Sequence, residues 1–219
     1  MTPSPATLAQ LEAVALDPVR PLLAVDVDEV IVSLAAHLAE YAQGAGYRLR
    51  LTGYRLDGAL TMADGSPAPD DALPNLFKGF FATETRRQRA YPGAAEALAE
   101  IAERSQVLIL TNVPVARRED RVENLAGQGI AYPLVANEGP KGPALQWLSE
   151  RIAAPLAFVD DSPTQLASAA RHAPRVSRIH YVGDPDLRGF LRDVEHAQHA
   201  PADWPGIAET VAGLFRLPA

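Results

Sequence analysis

Leu22-Leu23-Ala24-Val25-Asp26-Val27-Asp28-Glu29-Val30-Ile31 sets three acids in a run that is otherwise apolar. A short apolar run after Pro21 predicts a strand buried on both faces, with Asp26 and Asp28 at its C-terminal end. Such strands belong to parallel α/β sheets, and those sheets bind ligands beyond the carboxyl ends of their strands. On this stretch alone the two acids fit equally well a reactive pair or a strand that ends in solvated carboxylates.

Further strands of the same kind follow. Gln106 to Asn112 is apolar and ends in Thr111 and Asn112, and Leu156 to Asp161 is apolar and ends in Asp160 and Asp161. Tyr132 to Ala136 and Arg178 to Val182 read as shorter strands. Helical patterns separate them: Ala94 to Arg104, Arg117 to Gln128, Lys141 to Ile152, and a segment started by Pro163 that runs to His172. Strands alternating with amphipathic helices predict an α/β fold, a Rossmann-like parallel sheet with helices on both faces. A packing helix is expected within residues 5–16, an apolar helix from Ile31 to Tyr41, and a terminal helix from Gly206 to Phe215.

Between Gly44 and Tyr91 the pattern changes. Tyr47 to Leu51 alternates apolar and basic residues and Tyr54-Arg55-Leu56 resumes it, which predicts a hairpin or a short sheet. Ala63 to Pro74 reads as loop, and Leu76 to Arg89 as a helix carrying Phe77, Phe80 and Phe81. We therefore expect a core of residues 1–34 and 90–219 with an inserted small domain at 35–89.

Composition narrows the function. The chain has 219 residues, a net charge of -7 and no cysteine, which removes disulfides, thiolate metal sites and cysteine nucleophiles. An acidic balance argues against a dedicated partner among nucleic acids or anionic membranes. With no apolar leader and no long apolar run, the expected setting is cytoplasmic and the expected partner a small molecule.

In a parallel sheet, Asp26, Asp28, Thr111, Asp160 and Asp161 lie along one edge, and Lys141 opens an intervening helix. Four carboxylates in one pocket repel unless cations are present, so the set calls for a hard divalent ion together with Lys141. Magnesium, which takes carboxylates, water and phosphate oxygens, fits that inventory.

The four elements in this order resemble the haloacid dehalogenase superfamily, and within it the aspartate-dependent phosphatases. Asp26-Val27-Asp28-Glu29-Val30 matches the first motif, Leu108-Ile109-Leu110-Thr111 the second, Lys141 the third, and Phe158-Val159-Asp160-Asp161 the fourth. The resemblance covers roughly residues 20–33 and 90–185, and it implies that the insertion is a cap domain. It also implies roles. Asp26 is the expected nucleophile, forming an aspartyl phosphate, and Asp28 the acid and base. Thr111, Asn112 and Lys141 are expected to hold the phosphoryl group. Magnesium is expected on Asp26, on Asp28 through its backbone carbonyl, and on Asp160 or Asp161 of the last motif; relatives with Gly-Asp there favour Asp161 as ligand and leave Asp160 to partner Lys141 or a metal-bound water. The implied activity is magnesium-dependent hydrolysis of a small phosphorylated metabolite. A phosphotransferase or phosphomutase using the same intermediate is the first alternative, and a silent binding or scaffold protein of the same fold is the second. Dehalogenase relatives lack the acid at the position of Asp28, which places carbon–halogen cleavage lower. Glu29 stands where relatives often carry Gly.

Other signals weigh less. Arg86, Arg87 and Arg89 form a compact basic cluster that reads as a solvated helix end ahead of an anion site. Tyr54 and the three phenylalanines read as the core of the insertion ahead of a pocket lining. His196 and His199 have helical metal-ligand spacing but no third ligand.

Overall fold

A computed structural model describes residues 2–51, 58–190 and 194–215. In chain order the elements are α1 (Pro5–Ala13), β1 (Leu22–Val25), α2 (Ala35–Gly44), β2 (Tyr47–Leu49), β3 (Leu60–Met62), α3 (Ala72–Thr83), α4 (Ala94–Arg104), β4 (Gln106–Thr111), α5 (Arg118–Ala126), β5 (Leu134–Ala136), α6 (Gly142–Ser149), β6 (Leu156–Asp160), α7 (Pro163–His172), β7 (Ser177–His180), α8 (Pro185–Arg188) and α9 (Trp204–Leu214). Helix starts follow local capping chemistry. The Ser4 hydroxyl accepts from Thr7 N–H ahead of α1, the Asp203 carboxylate accepts from Gly206 N–H ahead of α9, and α1 and α7 carry Pro in the first turn.

Five strands form one parallel sheet in the order β5-β4-β1-β6-β7. β1 lies at its centre, with Val25 level with Ile109 on one side and Val159 on the other. The chain runs outward from β1 in both directions, so the sheet reverses its order there, and the carboxyl end of β1 is the point where such sheets open a crevice. Helices α4, α5 and α9 pack one face around Leu23, Val25, Ile109 and Trp204. The other face carries α1, α6 and α7 around Leu22, Ala24, Leu108 and Phe158. Both sheet edges are covered. The Gln10 amide exchanges hydrogen bonds with the backbone of Ala136, Arg118 donates to Leu134 O, and the backbone of Gln198 and His199 pairs with Arg178 and His180.

The insertion has its own apolar centre. Leu38, Ala42, Leu60, Ala72, Leu76 and Phe80 pack together between α2, α3 and the β2–β3 hairpin. Phe80 is fully buried with His37 and Tyr41 set edge-on to it, so the aromatic residues build this unit, as the sequence predicts.

Several boundaries differ from the sequence reading. α2 begins at Ala35 and not at Ile31, because Val27 to Val32 folds into a tight turn in which Ile31 N–H and Val32 N–H both donate to Val27 O. Val30, Ile31 and Val32 are buried beneath the end of β1, and apolar burial inside a turn looks in sequence like the face of a helix. The hairpin partner of Tyr47–Leu49 is Leu60–Met62; Tyr54-Arg55-Leu56 lies outside the described residues. α3 starts at Ala72 and ends at Thr83, with a 3₁₀ turn over Thr85–Arg87. Pro74 does not block it, since it stands in the first turn where backbone N–H groups have no helical partner. His196 and His199 do not share a helix: His199 bridges to Ile179 at the sheet edge. No helix among the described residues is long and apolar enough to cross a membrane.

Candidate active site

Asp26 follows the last residue of β1, and its N–H donates to Val159 O, which pins it to the sheet. Its Oδ1 lies 2.7 Å from Lys141 Nζ. Lys141 caps α6, its N–H donating to Gln165 Oε1 on α7. α6 and α7 approach closely at Gly142, where a Cβ would fall 2.3 Å from Ser168 O, so a side chain there would push the lysine away from the sheet edge. Lys141 Nζ also lies 2.6 Å from Asp160 Oδ2 at the end of β6, while Asp160 Oδ1 accepts from Ser162 N–H. Both Asp160 oxygens are therefore engaged. Asp161, next along, is buried, and its carbonyl accepts from His180 Nε2 at 2.9 Å.

Carboxylate oxygens of Asp26, Asp160 and Asp161 all lie within 4.8 Å of one another. All three acids are buried, and Lys141 lies against two of them. Burial pushes the Asp26 carboxyl up to about 7; Lys141 opposes that shift, and Asp160 and Asp28 add to it. Burial would lower Lys141, but Asp160 and Asp26 outweigh it and hold the ammonium above the ordinary lysine value. Three carboxylates this close together form an all-oxygen donor set that fits a hard divalent cation.

Asp28 is elsewhere. Its Oδ1 accepts from Arg121 Nη2 at 2.8 Å and from Gln88 Nε2 at 3.0 Å, which holds the side chain towards α5. Thr111 is fully buried at the end of β4, beside β1. Asn112 is exposed, donating to Gly139 O and accepting from Asn137 Nδ2, so it ties the β4 end to the loop that carries Lys141.

Glu29 takes a left-handed backbone conformation, φ 62°, where Gly would be unstrained. Its side chain turns away from the carboxylate cluster. Oε1 accepts from the N–H groups of Leu34 and Ala35 at the start of α2, and Oε2 accepts from Tyr91 OH at 2.9 Å. Burial raises its carboxyl, and those three donors oppose the shift. Glu29 thus caps the first helix of the insertion from within the turn that follows β1.

The basic cluster is a surface feature. Arg86 pairs with Asp120 and Glu123 on α5, and Arg87 lies 3.6 Å from Glu84. Sequence reasoning missed Arg121, Gln88, Asn137 and the role of Glu29. One signal was available for Arg121: α5 has few apolar residues, yet Arg121, Asn124, Leu125 and Gln128 follow i, i+3, i+4, i+7 spacing, so its packed face must include polar groups.

The architecture recurs in solved structures. A haloacid dehalogenase family hydrolase from Deinococcus radiodurans, with bound phosphate and sodium, aligns over 93% of this chain and 100% of its own, with 21% identity and a TM-score of 0.61. A predicted phosphoglycolate phosphatase from Haemophilus somnus aligns over 90% and 99% at 14% identity, TM-score 0.58. An L-2-haloacid dehalogenase aligns over 88% and 99% at 13% identity, TM-score 0.57. The chain therefore has the haloacid dehalogenase-like fold, a parallel α/β core with an insertion after the first strand. No protein-family model and no curated protein sequence matches it.

Proposed function

We propose that the protein is a magnesium-dependent phosphomonoester hydrolase acting on a small phosphorylated metabolite through an aspartyl phosphate, with residues 35–89 as its cap. One observation carries the reading: Asp26, at the centre of the sheet edge, shares Lys141 with Asp160 and lies beside Asp161, so three buried carboxylates meet at one point.

Asp26 attacks phosphorus in line; its new P–O bond forms as the ester P–O bond breaks. Asp28 gives a proton to the departing alkoxide and takes one from the water that next cleaves the aspartyl phosphate, returning both acids to their starting states. Lys141 offsets charge on Asp26 and on the phosphoryl oxygens, and Thr111 and Asn112 belong to the wall that receives those oxygens. Asp26, Asp161 and the Asp28 carbonyl would hold the cation, with Asp160 keeping Lys141 in place. When bound, magnesium reduces the repulsion between an anionic nucleophile and an anionic ester.

The test is hydrolysis of a panel of phosphate esters, with and without magnesium, by wild type and Asp26→Asn, alongside chloride release from a 2-chloro acid. We expect magnesium-dependent phosphate release that the variant loses, and no chloride. Full turnover by the variant, or chloride as the product, overturns the reading.

A further inference from the structure

Arg121 is fully buried, and its guanidinium is directed at a single acid. Nη2 donates to Asp28 Oδ1 at 2.8 Å and to Gln88 Oε1 at 2.7 Å, and Nη1 donates to Asn124 Oδ1. Gln88 closes the triangle by donating from Nε2 to the same Asp28 oxygen. Among the described residues, Arg121 Nε has no hydrogen-bond partner. Burying a guanidinium is costly, and an arginine placed only for packing extends its head to water or satisfies all its donors. Here the cation lies behind the acid. The Asp28 side chain is 16% exposed and that of Arg121 0%, and both bonds to the acid fall on Oδ1.

A purely structural role would be to fasten the segment returning from the insertion to α5. Asn124 and Gln128 already do that through the backbone, both donating to Gln88 O. What Arg121 adds is the pair of bonds to Asp28 and to the Gln88 side chain. Gln88 Nε2 also donates to Ser33 O, in the segment leading out to the insertion, so the hold on Asp28 is shared with both connections.

We propose that Arg121, with Gln88, is the positioning residue of Asp28, fixing its carboxylate where a leaving-group oxygen and then a water can meet it. The inference rests on the hydrolase reading above. A carboxylate after a strand has two free torsions, and a misplacement of about 1 Å at a reacting group can cost about 100-fold in rate. Two donors on one oxygen remove that freedom without occupying the whole group.

Leaving-group dependence separates positioning from folding. kcat/KM is measured with saturating magnesium on 4-nitrophenyl phosphate, whose phenolate departs unaided, and on an alkyl ester such as glycerol phosphate, whose alkoxide needs a proton. Asp28→Asn and Arg121→Gln should each lose about 100-fold on the alkyl ester and less than about 10-fold on the nitrophenyl ester. The double variant should be no worse than Asp28→Asn alone. The ratio between esters is independent of the folded fraction of a sample, and if Arg121→Gln does not fold, Arg121→Lys and Gln88→Met are read in the same way. Equal losses on the two esters, or losses that multiply in the double variant, overturn the inference while leaving the hydrolase intact. A wild type that turns over neither ester overturns the hydrolase reading and this inference with it.

Discussion

Lys141 Nζ stands 2.6 Å from Asp160 Oδ2, with the two side chains 1% and 0% exposed. The same ammonium reaches Asp26, so its removal strands two buried carboxylates, and breaking one side of a buried pair costs more than the pair itself contributes. Lys141→Met should destabilise the metal-free protein by about 3–5 kcal/mol, measured by urea unfolding in a chelator. Adding Asp160→Asn should recover part of that loss. A cost below about 1 kcal/mol, the range of exposed pairs, would show that water compensates the site.

The raised Asp26 carboxyl gives the metal-free protein a pH signature. An unfolded aspartate titrates near about 3.9, while in the fold burial moves Asp26 to about 7, so the folded state holds the extra proton between those values. Stability then falls as pH rises from about 4 to about 7, and Glu29, also raised by burial, acts in the same direction. Bound magnesium favours ionised Asp26, so the slope should flatten with the ion present, and magnesium affinity should rise with pH and level off above about 7 as proton release ends. Denaturant midpoints across this range, with magnesium and with chelator, check both statements. Metal-free stability that climbs through the window contradicts them.

Tyr91 supplies the donor to Glu29 Oε2. Tyr91→Phe keeps the ring against Gly183 and deletes the hydroxyl, leaving a buried carboxylate oxygen short of a partner. The expected cost is about 1–3 kcal/mol, read from thermal or urea unfolding. In a Glu29→Gly background, where no carboxylate remains and the left-handed backbone suits glycine, Tyr91→Phe should cost little. An undiminished cost in that background would assign the hydroxyl another partner.

Much of the fold was legible because it is encoded locally. Leu22 to Val25 has no polar residue and is flanked by Pro21 and Asp26, so it fits a buried central strand. Pro163 and the residues up to His172 form the helix that the spacing predicts, and the acids and Thr111 fall at strand ends as their positions require. The turn after β1 was not legible. Val30, Ile31 and Val32 are as apolar as a helix face, and only the bonds to Val27 O define the tight turn.

By itself, the sequence determined the order of strands and helices and the set of polar groups that a parallel sheet gathers at one edge, because burial periodicity and caps act over a few residues. Which charge meets which was settled by how the elements pack. Lys141 and Asp160 are 19 residues apart, Tyr91 and Glu29 62, and Arg121 and Asp28 93. Such pairs depend on how closely whole elements approach. That approach is set by packing at points such as Gly142 against Ser168, and burial then makes each charge depend on the protein groups the fold brings to it.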